Sequence, residues 1–263
     1  MEKLLIIPTY NEKDNVASII EAVFSLQQDF HILIIDDGSP DGTAGIVKDC
    51  IKKFPGILFL QERKGKLGLG TAYILGFRWA LDKGYRFIFE MDCDFSHNPD
   101  DLDKLYKACK ISGADVSIGS RYVKGGNLKN WPWLRVGLSK GASVYTRIIT
   151  MMPVKDPTAG FVCYKREVLE AINLDEISFV GYAFQIEMKF ATWKLGFTIK
   201  EVPITFIDRK YGISKMNKGI VKEGIFGVLR LKWMSMFKNY RSRVKNISDV
   251  PSYQNANVMM ERK

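Results

Sequence analysis

Short apolar runs that each end abruptly in a polar cluster constrain this chain more than any other feature. Residues 4–7, 31–35, 57–60, 86–91 and 115–119 are mostly apolar over strand length, and amphipathic segments separate them. The first separator repeats Val16, Ile19, Ile20, Val23 and Phe24 at a helical period, and the next presents Ile46, Val47, Cys50 and Ile51 on one face. Mostly apolar runs without polar alternation suit strands covered on both faces. Strands alternating with helices at this spacing predict an α/β fold with a doubly wound, mostly parallel sheet. Right-handed crossovers bring the strand ends to one edge, where Tyr10 and Glu12, Asp36 and Asp37, Asp92 and Asp94, and Arg121 would meet. Open sheets of this kind bind ligands at that edge.

Asp92-Cys93-Asp94 is the sharpest of these clusters. Two carboxylates flanking one small residue just beyond a strand can hold a hard divalent cation, and such a cation can neutralise a diphosphate. A solvated turn capping the next helix is the other reading of the same residues. The run from Gly65 to Gly70 neither ends in Gly-Lys-Ser/Thr nor follows the first strand, so it is neither a P-loop nor a dinucleotide fingerprint. It is expected to let backbones come close where a helix over 71–81 begins.

Charge and cysteine usage narrow the partners. Lys and Arg exceed Asp and Glu by 39 to 29, a net charge of +10, which favours polyanions. No nucleic-acid recognition module is present, leaving anionic membrane and phosphorylated ligands. The four cysteines (Cys50, Cys93, Cys109 and Cys163) are scattered, which argues against a zinc site or disulfide framework and fits a reducing compartment. No apolar run approaches the ~20 residues of a membrane span, so the protein is expected to be soluble or peripheral.

Beyond residue 125 the alternation breaks. A helix over 134–152 carries Arg135, Ser139 and Lys140 near its start and Val144, Ile148, Ile149, Met151 and Met152 later. That order suits core packing or an amphiphile with a phosphate head. A strand over 161–164, a helix to about 193 and a strand over 198–206 follow, with Pro203 marking an edge or bulge. Residues 208–215 form a basic, glycine-containing stretch suited to folding over a diphosphate. Residues 220–237 are apolar around nearly the whole helical wheel and are flanked by Lys232, Lys238, Arg241, Arg243 and Lys245. Such a helix is core-docked or meets lipid. The expected division is a main domain over 1–215, a helical docking or membrane-interface segment over 216–245, and a disordered tail over 246–263.

Taken in order, Pro8-Thr-Tyr-Asn-Glu12, Asp36-Asp-Gly-Ser-Pro-Asp-Gly-Thr43, Leu67-Gly-Leu-Gly-Thr-Ala-Tyr73, Met91-Asp-Cys-Asp-Phe-Ser-His97, Gly119-Ser-Arg-Tyr122 and Asp208-Arg-Lys-Tyr-Gly-Ile-Ser-Lys215 resemble a family 2 glycosyltransferase. More narrowly, they resemble the dolichol-phosphate or polyprenol-phosphate mannosyltransferases that lack transmembrane helices. The resemblance implies a GT-A fold, GDP-mannose as donor, a polyprenyl phosphate acceptor and Mg²⁺ or Mn²⁺ as cofactor. It implies that Pro8, Tyr10, Glu12, Ile35 and Asp37 hold the guanosine. Asp92, Cys93 and Asp94 would contact donor and metal, with Asp94 a direct ligand and Ser96 at a position where some relatives carry Gln. Arg121, Arg209 and Lys215 match phosphate-binding bases, and Arg121, Arg135 and Ser139 match the acceptor-phosphate site. Asp94, Arg121, Arg209 and Lys215 are the expected catalytic group. The implied setting is the cytoplasmic face of an anionic membrane, with a membrane tether protein as a further partner. A transferase using a UDP-sugar and a catalytically silent nucleotide-sugar sensor are the rival readings.

Overall fold

The computed structural model describes residues 1–26, 28–181, 183–208 and 218–241. Its main sheet has the strand order β3-β2-β1-β4-β7-β5-β8. β1 (Lys3–Thr9), β2 (Phe30–Asp36), β3 (Leu58–Glu62) and β4 (Phe87–Glu90) are parallel, and β8 (Ile199–Pro203) is parallel to β5 (Val116–Ser120). Both faces of β1 are covered, which is why its sequence is apolar without alternation. Leu4 and Ile6 enter one core layer, with Tyr73 and Phe77 of α3 (Leu69–Asp82). Leu5 and Ile7 enter the other, with Val16 and Ile20 of α1 (Val16–Phe24), Val47 of α2 (Thr43–Lys53) and Leu105 of α4 (Leu102–Lys110). Alternate side chains of a strand point to opposite faces, so each core needs its own helices.

The 161–164 run forms β7 (Val162–Lys165), but it runs antiparallel and lies between β4 and β5. It therefore begins where its neighbours end, and the preceding segment, Asp156 to Gly160, lies at the same edge as the strand ends. The expected strand over 198–206 is divided. β8 stops at Pro203 on the outer edge of the sheet, and β9 (Thr205–Ile207) pairs instead with β6 (Asn127–Lys129) as a small second sheet. Proline has no N–H for a further neighbour, so an edge suits it.

α5 (Trp133–Thr150), α6 (Arg166–Ala171), α7 (Ala183–Lys194) and α8 (Lys218–Met234) complete the fold. α8 packs on α5 and α7 and contributes Val228 and Leu231 to the first core. The core-docked reading holds for one face of this helix, and on the other Phe226, Leu229 and Trp233 are exposed. Lys238, read as part of a basic flank, turns inward and pairs with the fully buried Glu187 at 3.0 Å. No helix among the described residues is long and apolar enough to cross a membrane. The basic stretch from Arg209 through Lys215, and the tail over 246–263, lie outside the described residues.

Candidate active site

A cleft of about 420 Å³ opens at the carboxyl edge of the sheet, and each wall traces to a strand end. β1 delivers Pro8, Tyr10 and Glu12, β2 delivers Asp37, β4 delivers Asp92, Cys93 and Asp94, and β5 delivers Arg121. Trp131, just before α5, and Arg135, in its first turn, complete the lining. The sequence-predicted residues Pro8, Tyr10, Glu12, Asp37, Asp92, Cys93, Asp94, Arg121 and Arg135 thus line one space. Ile35 does not: its side chain is fully buried in the core beneath α3.

The glycine run behaves as a close-approach device. Gly70 N–H donates to the Val180 carbonyl at 2.8 Å, and a Cβ on Gly70 would stand 2.7 Å from the Phe179 carbonyl oxygen. This contact lets α3 begin beside the cleft. Asp37 is clasped there by Arg63, whose Nε donates to it at 2.6 Å and whose other nitrogens bond Thr71 and the Gly68 carbonyl. Arg63 carries no motif of its own, and its role follows only from the pairing of β2 with β3.

The acidic turn is held tightly. Phe95 takes a left-handed backbone conformation (φ 59°), rare for a residue with a Cβ and typical of functional turns. The turn returns Ser96 N–H to Asp94 at 3.1 Å. The Ser96 hydroxyl is buried without a hydrogen-bond partner among the described residues. Asp92 Oδ and Asp94 Oδ with Ser96 Oγ make an all-oxygen donor set, the kind preferred by Mg²⁺ and Mn²⁺. Among the described residues no group of three His, Cys, Asp or Glu is placed to hold a metal ion. A cation here would complete its shell from substrate oxygens, as magnesium sites commonly do. His97, part of the same motif, is stacked on Phe161 with 4.9 Å between ring centroids. Burial lowers its pKa to about 4, so it is neutral at pH 7.

Arg121 reaches the cleft as half of an ion pair. Its Nε and Nη2 donate to Asp156 at 2.7 and 2.6 Å, and Nη2 also donates to Thr158 at 2.8 Å. Burial pushes the Asp156 carboxyl up, but the hydrogen bonds and charge of Arg121 outweigh it and hold the group below its ordinary range. Arg121 therefore stands in the cleft wall as an oriented, charge-compensated guanidinium rather than a lone cation. Asp156 reads in the sequence as an ordinary Asp-Pro turn, and no local signal gives it this partner.

Arg135 is fixed from two sides. Both Asp208 carboxylate oxygens accept from its Nη1 at 3.0 Å, and the guanidinium stands 3.9 Å from the centre of the Trp131 ring. Ser139, one helical turn on, accepts a 2.6 Å hydrogen bond from the Tyr122 hydroxyl. Beneath the cleft, Lys189 of α7 donates to the Ala159 carbonyl at 2.7 Å and to Gln185, while Gln185 donates to Glu90 at 2.8 Å. Burial raises Glu90 and lowers Lys189, each to about 8, with each partner's charge opposing the other's shift. This network fixes the loop carrying Asp156.

Similarity to known proteins follows this geometry. The sequence pattern of Glycosyl transferase family 2 matches residues 4–172. The polyprenol monophosphomannose synthase of Mycolicibacterium smegmatis is 45% identical over 225 residues, covering 86% of this chain and 84% of its own. The undecaprenyl-phosphate mannosyltransferase of Micrococcus luteus is 42% identical over 244 residues, covering 93% of this chain and 99% of its own. Among solved structures, the mannosyltransferase PcManGT from Pyrobaculum calidifontis, in complex with GDP-Man and Mn²⁺, superposes with a TM-score of 0.55 at 16% identity. That match covers 91% of this chain and 65% of PcManGT, and it establishes a shared fold.

Proposed function

Because the chain belongs to Glycosyl transferase family 2, we propose that it moves mannose from GDP-mannose to the phosphate of a polyprenyl lipid, with inversion at the anomeric carbon. The observation that carries this reading is a single cleft that brings together two unlike groups of residues. Tyr10, Glu12, Asp37 and the Asp92/Asp94 turn suit a nucleotide diphosphate. Arg135 lines the same cleft from α5, the helix that also carries exposed Leu134, Leu138 and Ile148, which suit an isoprenoid chain. The acceptors named for the two bacterial relatives, polyprenol and undecaprenyl phosphate, support the same lipid class. The motif resemblance and the GDP-Man bound by a protein of the same fold support the donor.

The chemistry needs few groups. The acceptor is a phosphate monoester, largely ionised at neutral pH because its second pKa is about 6, so no strong general base is required. Arg135, held by Asp208 and Trp131, orients that phosphate, and the Ser139 hydroxyl adds a further donor. An acceptor oxygen forms a bond to the anomeric carbon as the bond to the GDP oxygen breaks on the opposite face. Mg²⁺ or Mn²⁺ held by Asp94, Asp92 and Ser96 would supply neutralisation of the departing diphosphate. Arg209 and Lys215 belong to this proposal as further cations over that diphosphate, and the backbone of Cys93 as a sugar contact. Arg121, held in the cleft wall by Asp156, adds positive charge beside the developing negative charge.

The exposed apolar residues of α5 and α8 support a resting position on an anionic membrane at its cytoplasmic face, where the +10 charge adds attraction. The decisive experiment incubates the full chain with radiolabelled GDP-mannose, a short polyprenyl phosphate and Mg²⁺ or Mn²⁺, and measures label extracted into organic solvent. The reading predicts extractable label that depends on the lipid. Equal or better transfer from UDP-glucose, or no lipid-linked label, would overturn it.

A further inference from the structure

A second cleft of about 360 Å³ lies on the other side of Arg121, between the β5–β6 connection and α5. Lys140, Ser143 and Arg147 fall on one stripe of α5, since helical residues three and four apart share a face. Lys155 faces them. Among the described residues, no carboxylate pairs with the side chains of Lys140, Arg147 or Lys155. The nearby acids are already engaged. Asp156 is bound by Arg121, and Glu201 accepts from the Ser120 hydroxyl at 2.7 Å and from the backbone N–H groups of Lys155 and Asp156 at 2.7 and 2.9 Å.

An independent observation points to a ligand. Ser143 is 2% exposed and lines this cleft, yet its hydroxyl has no hydrogen-bond partner among the described residues. A buried hydroxyl normally finds one, and a helical serine has a carbonyl within reach, so an orphan in a cationic cleft wants an acceptor from outside. Opposite it, the backbone is pressed close: a Cβ on Gly126 would meet the Ser120 carbonyl oxygen at 2.6 Å. We propose that this cleft is a second phosphate site, separate from the transfer cleft, in which Lys140, Arg147 and Lys155 supply charge and the Ser143 hydroxyl donates to a phosphate oxygen. Tetrahedral oxyanions with several acceptor oxygens match a donor set that carries charge and lacks acceptors. Two sources share this chemistry, a phospholipid headgroup and free phosphate. Exposed Val144 at the rim and Ile148 one turn further along α5 would add apolar contact to the first.

The site goes beyond the proposed transfer reaction and is tested without donor or metal. Calorimetric titration of the full chain with inorganic phosphate and with water-soluble dihexanoyl phosphatidic acid should show binding of both. Arg135→Ala, which takes away the phosphate contact of the transfer cleft, should still bind both. In that variant, tighter binding of the lipid assigns the site to a headgroup, and equal binding assigns it to the free anion. Adding Lys140→Gln/Arg147→Gln to it should weaken the remaining binding at least tenfold. Remaining binding unchanged by the added pair would overturn the proposal. So would loss of all binding in Arg135→Ala, which would assign the phosphate to the transfer cleft, or no binding to the wild type at 10 mM ligand. Because Lys140 and Arg147 are exposed, the added pair should leave the circular dichroism spectrum unchanged.

Discussion

Replacing Asp156 by Ala tests the central electrostatic element of the site. Asp156 is fully buried and accepts from the Arg121 backbone N–H at 3.0 Å as well as from the guanidinium, which is itself 8% exposed. Removing the carboxylate leaves a buried cation without its partner, for which the cost is about 3–5 kcal/mol. Against a total stability on the order of 5–15 kcal/mol this is a large fraction. With a urea dependence of about 3 kcal/mol per molar it moves the unfolding midpoint down by roughly 1 M or more. Equilibrium urea unfolding, followed by tryptophan fluorescence, is the assay. Replacing both partners with apolar residues, as Arg121→Met/Asp156→Leu, should recover most of the loss, because the pair's own net contribution is small once its desolvation is removed. The pH dependence has a fixed sign. The carboxyl is held below its ordinary value of about 3.9, so its contribution is complete above that value and lost as pH falls through and below it. Asp156→Asn should lack that part of the acid sensitivity. A midpoint within 0.3 M of the wild type for Asp156→Ala, or a double variant less stable than the single, would refute the reasoning.

Asp94→Ala should abolish transfer while leaving circular dichroism unchanged; retained activity would remove the metal reading. Arg135→Ala should raise the KM for lipid phosphate about tenfold or more with a smaller effect on GDP-mannose, since one charged hydrogen-bonding side chain contributes about 1.5–3 kcal/mol. Equal effects on both substrates in initial-rate assays would argue against an acceptor role. Paired substitutions on the exposed face, Trp133→Glu with Ile148→Glu, should reduce co-sedimentation with anionic vesicles and spare the fold, because both residues are more than half exposed. Undiminished sedimentation would remove α5 from the membrane surface.

The sequence determined the sheet and most of the cleft. Mostly apolar runs separated by helical periods leave little choice but strands covered on both faces, and the handed crossover carries Tyr10, Asp37, Asp94 and Arg121 to one edge. These are local signals read at their own positions. Arg63, Asp156 and Lys189 gave no such signal, because what each does depends on a residue 26, 35 or 30 positions away. The orientation of β7 decided the most: a parallel strand would have carried Asp156 to the opposite edge, and the antiparallel one sets it against Arg121. An apolar run of four residues reads the same in either direction. Only pairing with β4 and β5 chose one, and with it the charge that substrate meets.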